Sequence, residues 1–378
     1  MHVFLTERIL WMYTRSSMKN PMFKTQVTLL LWSGLLMGCS SGPSSLPEVK
    51  PQAQLSIQNA DPSVIRVGST YHSVESDGKL IFVRSASSVA GLASATRQQV
   101  WSNPNNIPEI WAPEIIKDGT THYIYFAGGA GANHRMYFIQ SQNPTSGYSA
   151  ATQMALPGNQ WAIDGVPFKY NNQWWFVWSG WERTFAAGEQ QEQTLYLARM
   201  TNPTTVTGNR FVISQPRESW ERVDGWHPSW VNEGPQPIMD PSGQLHIVYS
   251  ANGSWDVNYC LADLRLRAGG DPSYVWDWYK SNGCLFSSNA PMMAGWDPTL
   301  YAKGVGHHSF VLLNGDINTS PPAGSSFPLA YHGVPKNSFP SNFWAGRFWY
   351  SGSFMWWGNT TYTRGSASNT GWSLKFFE

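Results

Sequence analysis

Apolar and polar residues alternate along this chain in short runs, and no stretch repeats apolar residues at the spacing of an amphipathic helix. The runs are closed by Gly, Pro, Asn and Asp, so strands joined by tight turns are predicted throughout and the fold class is all-β. Three hairpins stand out: APEIIKDGTTHYIYFAGG (112–129), DGVPFKYNNQWWFVWSG (164–180) and EGPQPIMDPSGQLHIVYSANG (233–253). Each has an acid beside Pro or Gly near its start and turns at Asp118-Gly119, at Asn171-Asn172 or over Asp240 to Gly243. A second strand rich in aromatic or β-branched residues then ends on Gly. ADPSVIRVGSTYHSV (60–74) and GHHSFVLLNGDINTSPPAGSSFPLAYHG (306–333) follow the same order more loosely.

The five units begin near residues 61, 114, 164, 233 and 307, a spacing that suits the blades of a β-propeller. Five blades would fill residues 55–378 as a single domain. The innermost strand of each blade lines a central channel, so acids that open those strands would meet in one pocket. A β-sandwich, or two small sandwiches, is the alternative, in which Asp-Pro and Glu-Gly-Pro serve only as turn punctuation.

Composition narrows the function classes. Charged residues are 13% of the 378, against about a quarter in an average domain, while Trp, Tyr and Phe make up 15%. Disorder is excluded by that capacity for burial, and 34 Gly with 25 Pro argue against a helical bundle. Lys plus Arg is 25 and Asp plus Glu is 24, so no basic surplus exists to neutralise phosphates and nucleic acid is not an expected partner.

Lys19 and Lys24 precede the apolar run Val27 to Met37, which is too short to span a bilayer and reads as a secretion signal. Its end, LLMGCSSG, is similar to a lipoprotein signal in which Cys39 becomes the lipidated N-terminus, with Met18 as a possible true start. Residues 1–38 are then a leader and 39–54 a Ser- and Pro-containing flexible tether. Ser40 carries no inner-membrane retention signal, so in a Gram-negative host the outer membrane, facing periplasm or cell exterior, is the expected location, with contact to the membrane only through the anchor. Without Arg8, Arg15, Lys19, Lys24 and Glu7 of the leader, the net charge goes from +1 to −2, which suits an uncharged partner. Cys260 and Cys284 are left, either as one disulfide or as two buried thiols.

Asp61, Asp164 and Glu233 open strands in ADPSV, AIDGVPF and VNEGPQP. Hydrolysis of a glycosidic bond needs such groups: one carboxylic acid protonates the departing oxygen, and an ionised carboxylate activates water or attacks carbon. A third negative charge nearby raises the pKa of the acid, so that it keeps its proton at working pH. Glu114 opens the second unit as Glu233 opens the fourth, and the pattern alone does not separate them. HExxH, GxSxG and P-loop motifs are absent, and GGAGAN (128–133) precedes strand-like residues, so it is a loop without a dinucleotide fingerprint.

The set ADPSVIRVG, IWAPEI, NHRMYF, AIDGVPF, VNEGPQP, NYCLADL and GVGHHSF, in this order, resembles glycoside hydrolase family 43, and most closely its exo-acting α-L-arabinofuranosidases. The resemblance implies a five-bladed β-propeller and hydrolysis with inversion of anomeric configuration. It makes Asp61 the general base, Glu233 the general acid and Asp164 the residue that tunes and orients Glu233. Glu114 is then structural or orienting. His307 matches a family histidine near the channel axis that in many members serves a metal ion, often calcium; no cofactor is required for the chemistry, and a structural calcium is the one metal considered. His308 is expected to point away. Trp111 and Trp161 are candidate walls of the sugar pocket. Arg135 in HRMY is read as structural more often than as substrate-binding. At the C-terminus the aromatic stretch KNSFPSNFWAGRFWYSGSFMWWG departs from the family pattern and offers Arg347 as the candidate arginine that reaches the sugar.

The expected activity is release of terminal α-L-arabinofuranose from arabinan or arabinoxylan fragments by a monomeric, lipid-anchored enzyme. An exo-β-xylosidase, an endo-arabinanase or a hydrolase of another oligosaccharide would use the same fold. A non-catalytic carbohydrate-binding propeller and a structural all-β lipoprotein are the readings from other classes. Binding alone does not need an acid of raised pKa, which favours the enzyme.

Overall fold

The computed structural model describes residues 54–186, 188–223 and 229–378. The leader, the anchor at Cys39 and the tether as far as residue 53 lie outside the described residues. Gln54 already forms a bridge to Tyr350. Twenty strands and six short 3-10 turns make up the regular structure of the described residues, so the fold is all-β as the alternation predicts.

Strands β1 (Ser63–Val67), β2 (Thr70–Ser76), β3 (Ile81–Ala86) and β4 (Gln98–Trp101) form a first antiparallel meander in chain order. A second is built from β5 (Trp111–Asp118), β6 (Thr121–Gly128), β7 (Arg135–Ser141) and β8 (Thr152–Gln153). The third contains β9 (Ala162–Tyr170), β10 (Gln173–Gly180), β11 (Gln191–Asn202) and β12 (Thr205–Ser214). In the fourth, β13 (Ser229–Met239), β14 (Leu245–Ala251), β15 (Cys260–Leu266) and β16 (Trp278–Lys280) pair in order. The last has β17 (Ala302–Phe310), β18 (Phe327–Pro335), β19 (Phe348–Arg364) and β20 (Ala367–Phe377). Three parallel pairs, Gln191 with Ser229 through Gln193 with Val231, join the third and fourth meanders into one eight-stranded sheet.

All five expected hairpins are present, as β1–β2, β5–β6, β9–β10, β13–β14 and β17–β18. Their turns follow from residue chemistry. Asn171 and Asn172 both take left-handed φ values (50° and 60°), as a two-residue hairpin turn requires. Asp240 Oδ1 accepts from the backbone of Ser242 and Gln244 and closes the turn between β13 and β14.

Burial occurs between meanders. Ile65, Val83 and Trp101 pack with Ile115 and Phe126 between the first and second. Tyr125 and Met136 meet Phe176 and Trp178 between the second and third. Val177 and Leu197 meet Ile247 and Leu264 between the third and fourth, and Val248 and Leu261 meet Phe310 and Tyr331 between the fourth and fifth. A fifth cluster, with Leu55, Ile57 and Val64 against Ala330 and Trp349, joins the last meander to the first. Most of the aromatic surplus is spent here: Trp175, Trp178 and Trp349 are each at most 3% exposed. Cys260 and Cys284 form a disulfide, which ties β15 to the segment that follows β16.

Candidate active site

Four of the five leading strands carry an irregularity at the same level. Pairing slips between Trp111 and Glu114 in β5, between Ile163 and Val166 in β9, between Glu233 and Gln236 in β13 and between Gly306 and Ser309 in β17. Each slip contains a residue of left-handed φ: Ala112 (42°), Asp164 (56°), Gly234 (55°) and His307 (39°). Asp61 (51°), just before β1, completes the set. Such bulges re-aim side chains at the cost of strain, about 1–3 kcal/mol for a non-glycine residue. Glycine is favoured at 234, because a Cβ there would lie 3.3 Å from the His307 ring as well as on a left-handed backbone.

The side chains aimed in this way share one cavity of about 460 Å³. Asp61, Trp111, Trp161, Asp164, Glu233, His307 and Arg347, the seven candidates from the sequence, all line it. Glu114 does not. It is 3% exposed and bound beneath the cavity, accepting from Gln236 Nε2 and lying 3.0 Å from His307 Nε2. Of the two glutamates that the sequence pattern does not separate, Glu233 lines the cavity and Glu114 does not.

The carboxyl groups experience different surroundings. Glu233 is buried, and its Oε1 accepts from the Tyr259 hydroxyl at 2.9 Å. Burial, and after it the charge of Asp164, push its pKa up to about 8. Asp164 accepts from the Gly234 backbone N–H at 2.9 Å. Burial raises its pKa to about 6, although the charge of His307 opposes the rise. Asp61 differs, with 24% of its side chain open. Desolvation would raise its pKa, but His307, then His332 and Arg347, outweigh that and hold it below the usual carboxylate range. The site therefore holds one carboxylate that stays ionised and one carboxylic acid that keeps its proton near neutral pH.

His307 is the hub. Its Nδ1 lies 3.4 Å from Asp61 Oδ1 and 3.9 Å from Asp164 Oδ2, while Nε2 faces Glu114. Burial alone would lower its pKa, but the charges of Asp61 and Asp164, joined by Glu114, raise it to about 10. Both ring nitrogens face carboxylates, so His307 stands as a cation among the acids. Among the described residues, no group of three or more His, Cys, Asp or Glu side chains is arranged to hold a metal ion. His308 points away, packed on Phe310 and Phe376.

The aromatic walls differ in kind. Trp111 is 41% exposed, and one face is stacked on His134 with ring centroids 3.8 Å apart, so the other face is available. Trp161 is buried against Trp181, centroids 4.7 Å apart, and offers the cavity less of its surface. Arg347 Nη1 lies 3.8 Å from Asp61 Oδ1. Arg135 is structural, tied to Asn159 and to the His134 carbonyl.

Sequence reasoning missed several groups. His332 Nδ1 accepts from the Asp61 backbone N–H at 3.0 Å, and burial, with Arg347 nearby, lowers its pKa to about 4. Tyr259 stands in the quoted motif NYCLADL without a role having been read from it. His134 lies in NHRMYF, and Trp181 follows the third hairpin by one residue. Gln191 and Gln193 line the cavity from the parallel pairing of β11 with β13. Ser254, Trp255 and Trp344 complete the rim.

The sequence profile described as Glycosyl hydrolases family 43 matches residues 53–318. The chain is 30% identical over 305 residues to an extracellular exo-α-(1→5)-L-arabinofuranosidase of Streptomyces avermitilis, spanning 78% of this chain and 58% of that protein. It is 29% identical over 255 residues to an α-L-arabinofuranosidase B of Pyricularia oryzae, spanning 64% of this chain and 51% of the other. The chain thus spans little more than half the length of these two relatives. An α-L-arabinofuranosidase structure from Lactobacillus brevis is similar with a TM-score of 0.66 at 24% identity, covering 82% of this chain and 95% of that one. At that identity the likeness speaks for the fold.

Proposed function

The chain belongs to glycosyl hydrolase family 43, and from that membership we propose that it is an exo-acting α-L-arabinofuranosidase working with inversion at the anomeric carbon. Its substrates are arabinan or arabinoxylan oligosaccharides carrying terminal α-L-arabinofuranose. The observation that supports this reading best is that Asp61, beside His307 and Arg347, and Glu233, buried and bound by Tyr259, line one cavity.

In the proposed reaction the terminal sugar occupies the cavity with an apolar face on Trp111. Asp61 takes a proton from water as the water oxygen bonds to the anomeric carbon from the face opposite the leaving oxygen. Glu233 gives its proton to that oxygen as the glycosidic bond breaks. Asp164 keeps Glu233 protonated and, through the Gly234 N–H, fixed in orientation relative to itself. Arg347 binds sugar hydroxyls at the Asp61 end. Two relatives named as extracellular exo-arabinofuranosidases support terminal release and secretion.

We read the five meanders, with burial between each neighbouring pair, as the five blades of a β-propeller spanning 55–378 as a single domain. Lipid anchoring at Cys39 in the outer membrane and a monomeric state complete the proposal.

A proton NMR time course on linear 1,5-arabino-oligosaccharides tests both halves. Arabinose and the oligosaccharide one unit shorter should be the only early products, in equal amounts, and the arabinose should first appear as the β-anomer. Shorter internal fragments formed without arabinose would indicate an endo-arabinanase, and first-formed α-arabinose would contradict inversion. A parallel panel of aryl glycosides separates an arabinofuranosidase from a β-xylosidase.

A further inference from the structure

The loop between β14 and β15 stands directly over Glu233. Ser250, at its start, is the register partner of Glu233, and Tyr259, at its end, donates to the Glu233 carboxyl. Ala251 pairs with Cys260 at the base of the loop, where the disulfide to Cys284 holds it. Within the loop, Asp256 Oδ1 accepts from the Asn258 backbone, and the Asp256 N–H donates to the Gly253 carbonyl. Gly253 has no room for a side chain, because a Cβ would sit 2.0 Å from the Trp255 indole. Trp255 is therefore laid against its own backbone.

A second tryptophan meets this loop from the fifth meander. The Trp344 indole N–H donates to Ser254 Oγ at 3.2 Å, and its ring stands edge-on to Trp255 with centroids 6.2 Å apart. Trp344 is 52% exposed, although both tryptophans line the cavity. Its own short turn also carries Arg347, whose Nε donates back to the Trp344 carbonyl. One turn thus presents an arginine towards Asp61 and an indole towards the loop above Glu233.

Position relative to the acid decides the use of this wall. The glycosidic oxygen leaves towards the group that protonates it, so whatever is bonded to that oxygen lies on the Glu233 side. Trp111, from the second meander, belongs to the sugar whose bond is broken. We propose that Trp344, braced by Ser254 and Trp255, forms a leaving-group subsite that stacks on the apolar face of the second sugar ring, so that the enzyme selects oligosaccharides over simple alkyl glycosides. This inference rests on the functional reading above, in which Glu233 is the acid. An indole held by its N–H and half exposed suits a ring with an apolar face and peripheral hydroxyls.

The test compares two substrates of similar leaving-group basicity, 1,5-linked arabinotriose and methyl α-L-arabinofuranoside, for the unchanged enzyme and for Trp344→Ala, Trp344→Phe and Trp111→Ala. Trp344→Ala should lower kcat/KM on the trisaccharide about tenfold, as loss of one stacking contact would, mainly through KM. On the methyl glycoside it should change kcat/KM by less than about twofold, which is within ordinary surface effects. Trp344→Phe should recover most of the loss, and Trp111→Ala should depress both substrates. Equal losses on the two substrates for Trp344→Ala, or no loss on either, overturn the subsite while leaving the functional reading intact. No turnover of either substrate by the unchanged enzyme overturns that reading, and the subsite with it.

Discussion

The Tyr259 hydroxyl donates to Glu233 Oε1 across 2.9 Å, and it comes from the far end of the loop that stands over this carboxyl. A donor to the ionised form favours ionisation, so Tyr259 holds the pKa of Glu233 lower than burial and Asp164 would leave it. Tyr259→Phe should therefore move the alkaline limb of the kcat/KM profile upward. It should also lower kcat, because Glu233 loses the hydrogen bond that positions it. A downward move would contradict the hydrogen bond's role.

Asp164 acts in the opposite direction. Its negative charge disfavours ionisation of Glu233, so Asp164→Asn should move the same alkaline limb downward from its expected place near pH 8. The Gly234 N–H can still donate to the amide oxygen, which preserves the local backbone. Opposite shifts in the two variants would separate tuning by charge from tuning by hydrogen bond; shifts of the same sign would refute it.

The five hairpins were legible because strand alternation and turn chemistry are local, as the paired left-handed Asn171 and Asn172 illustrate. The seven candidates in the cavity were legible through repeated strand openings and a family resemblance. Tyr259, His332 and His134 were not. Tyr259 reaches Glu233 across 26 residues through the loop between β14 and β15, and His332 meets Asp61 across 271, a contact that depends on how the fifth meander packs on the first. Nor does residue type announce every bulge, since Ala112 takes a left-handed φ value that a side chain of its kind disfavours. A histidine's neighbours likewise decide whether it offers a lone pair or a charge, and the motif GVGHHSF does not name them.

His307 as the resident cation makes two outcomes testable. Chelation with EDTA should leave kcat/KM unchanged, and added calcium should not raise it. His307→Gln removes the charge that holds Asp61 below the usual carboxylate range, so the acid limb should move to higher pH. The sign follows from the base having to be ionised: a raised Asp61 pKa withdraws activity from the acidic end first. Activity lost to EDTA and restored by calcium would contradict this assignment.

The division of labour between Glu233 and Asp61 is tested most directly by the dependence of each variant on leaving-group quality. Glu233→Gln should lower kcat/KM on 1,5-linked arabinotriose by about 10²–10⁴-fold. On an aryl arabinofuranoside with an activated nitrophenol leaving group, which departs without a proton, it should cost far less. Asp61→Asn should depress both substrates by comparable large factors, because each needs an activated water. If Glu233→Gln impairs both substrates equally, or Asp61→Asn turns over near the normal rate, the assignment of acid and base is wrong.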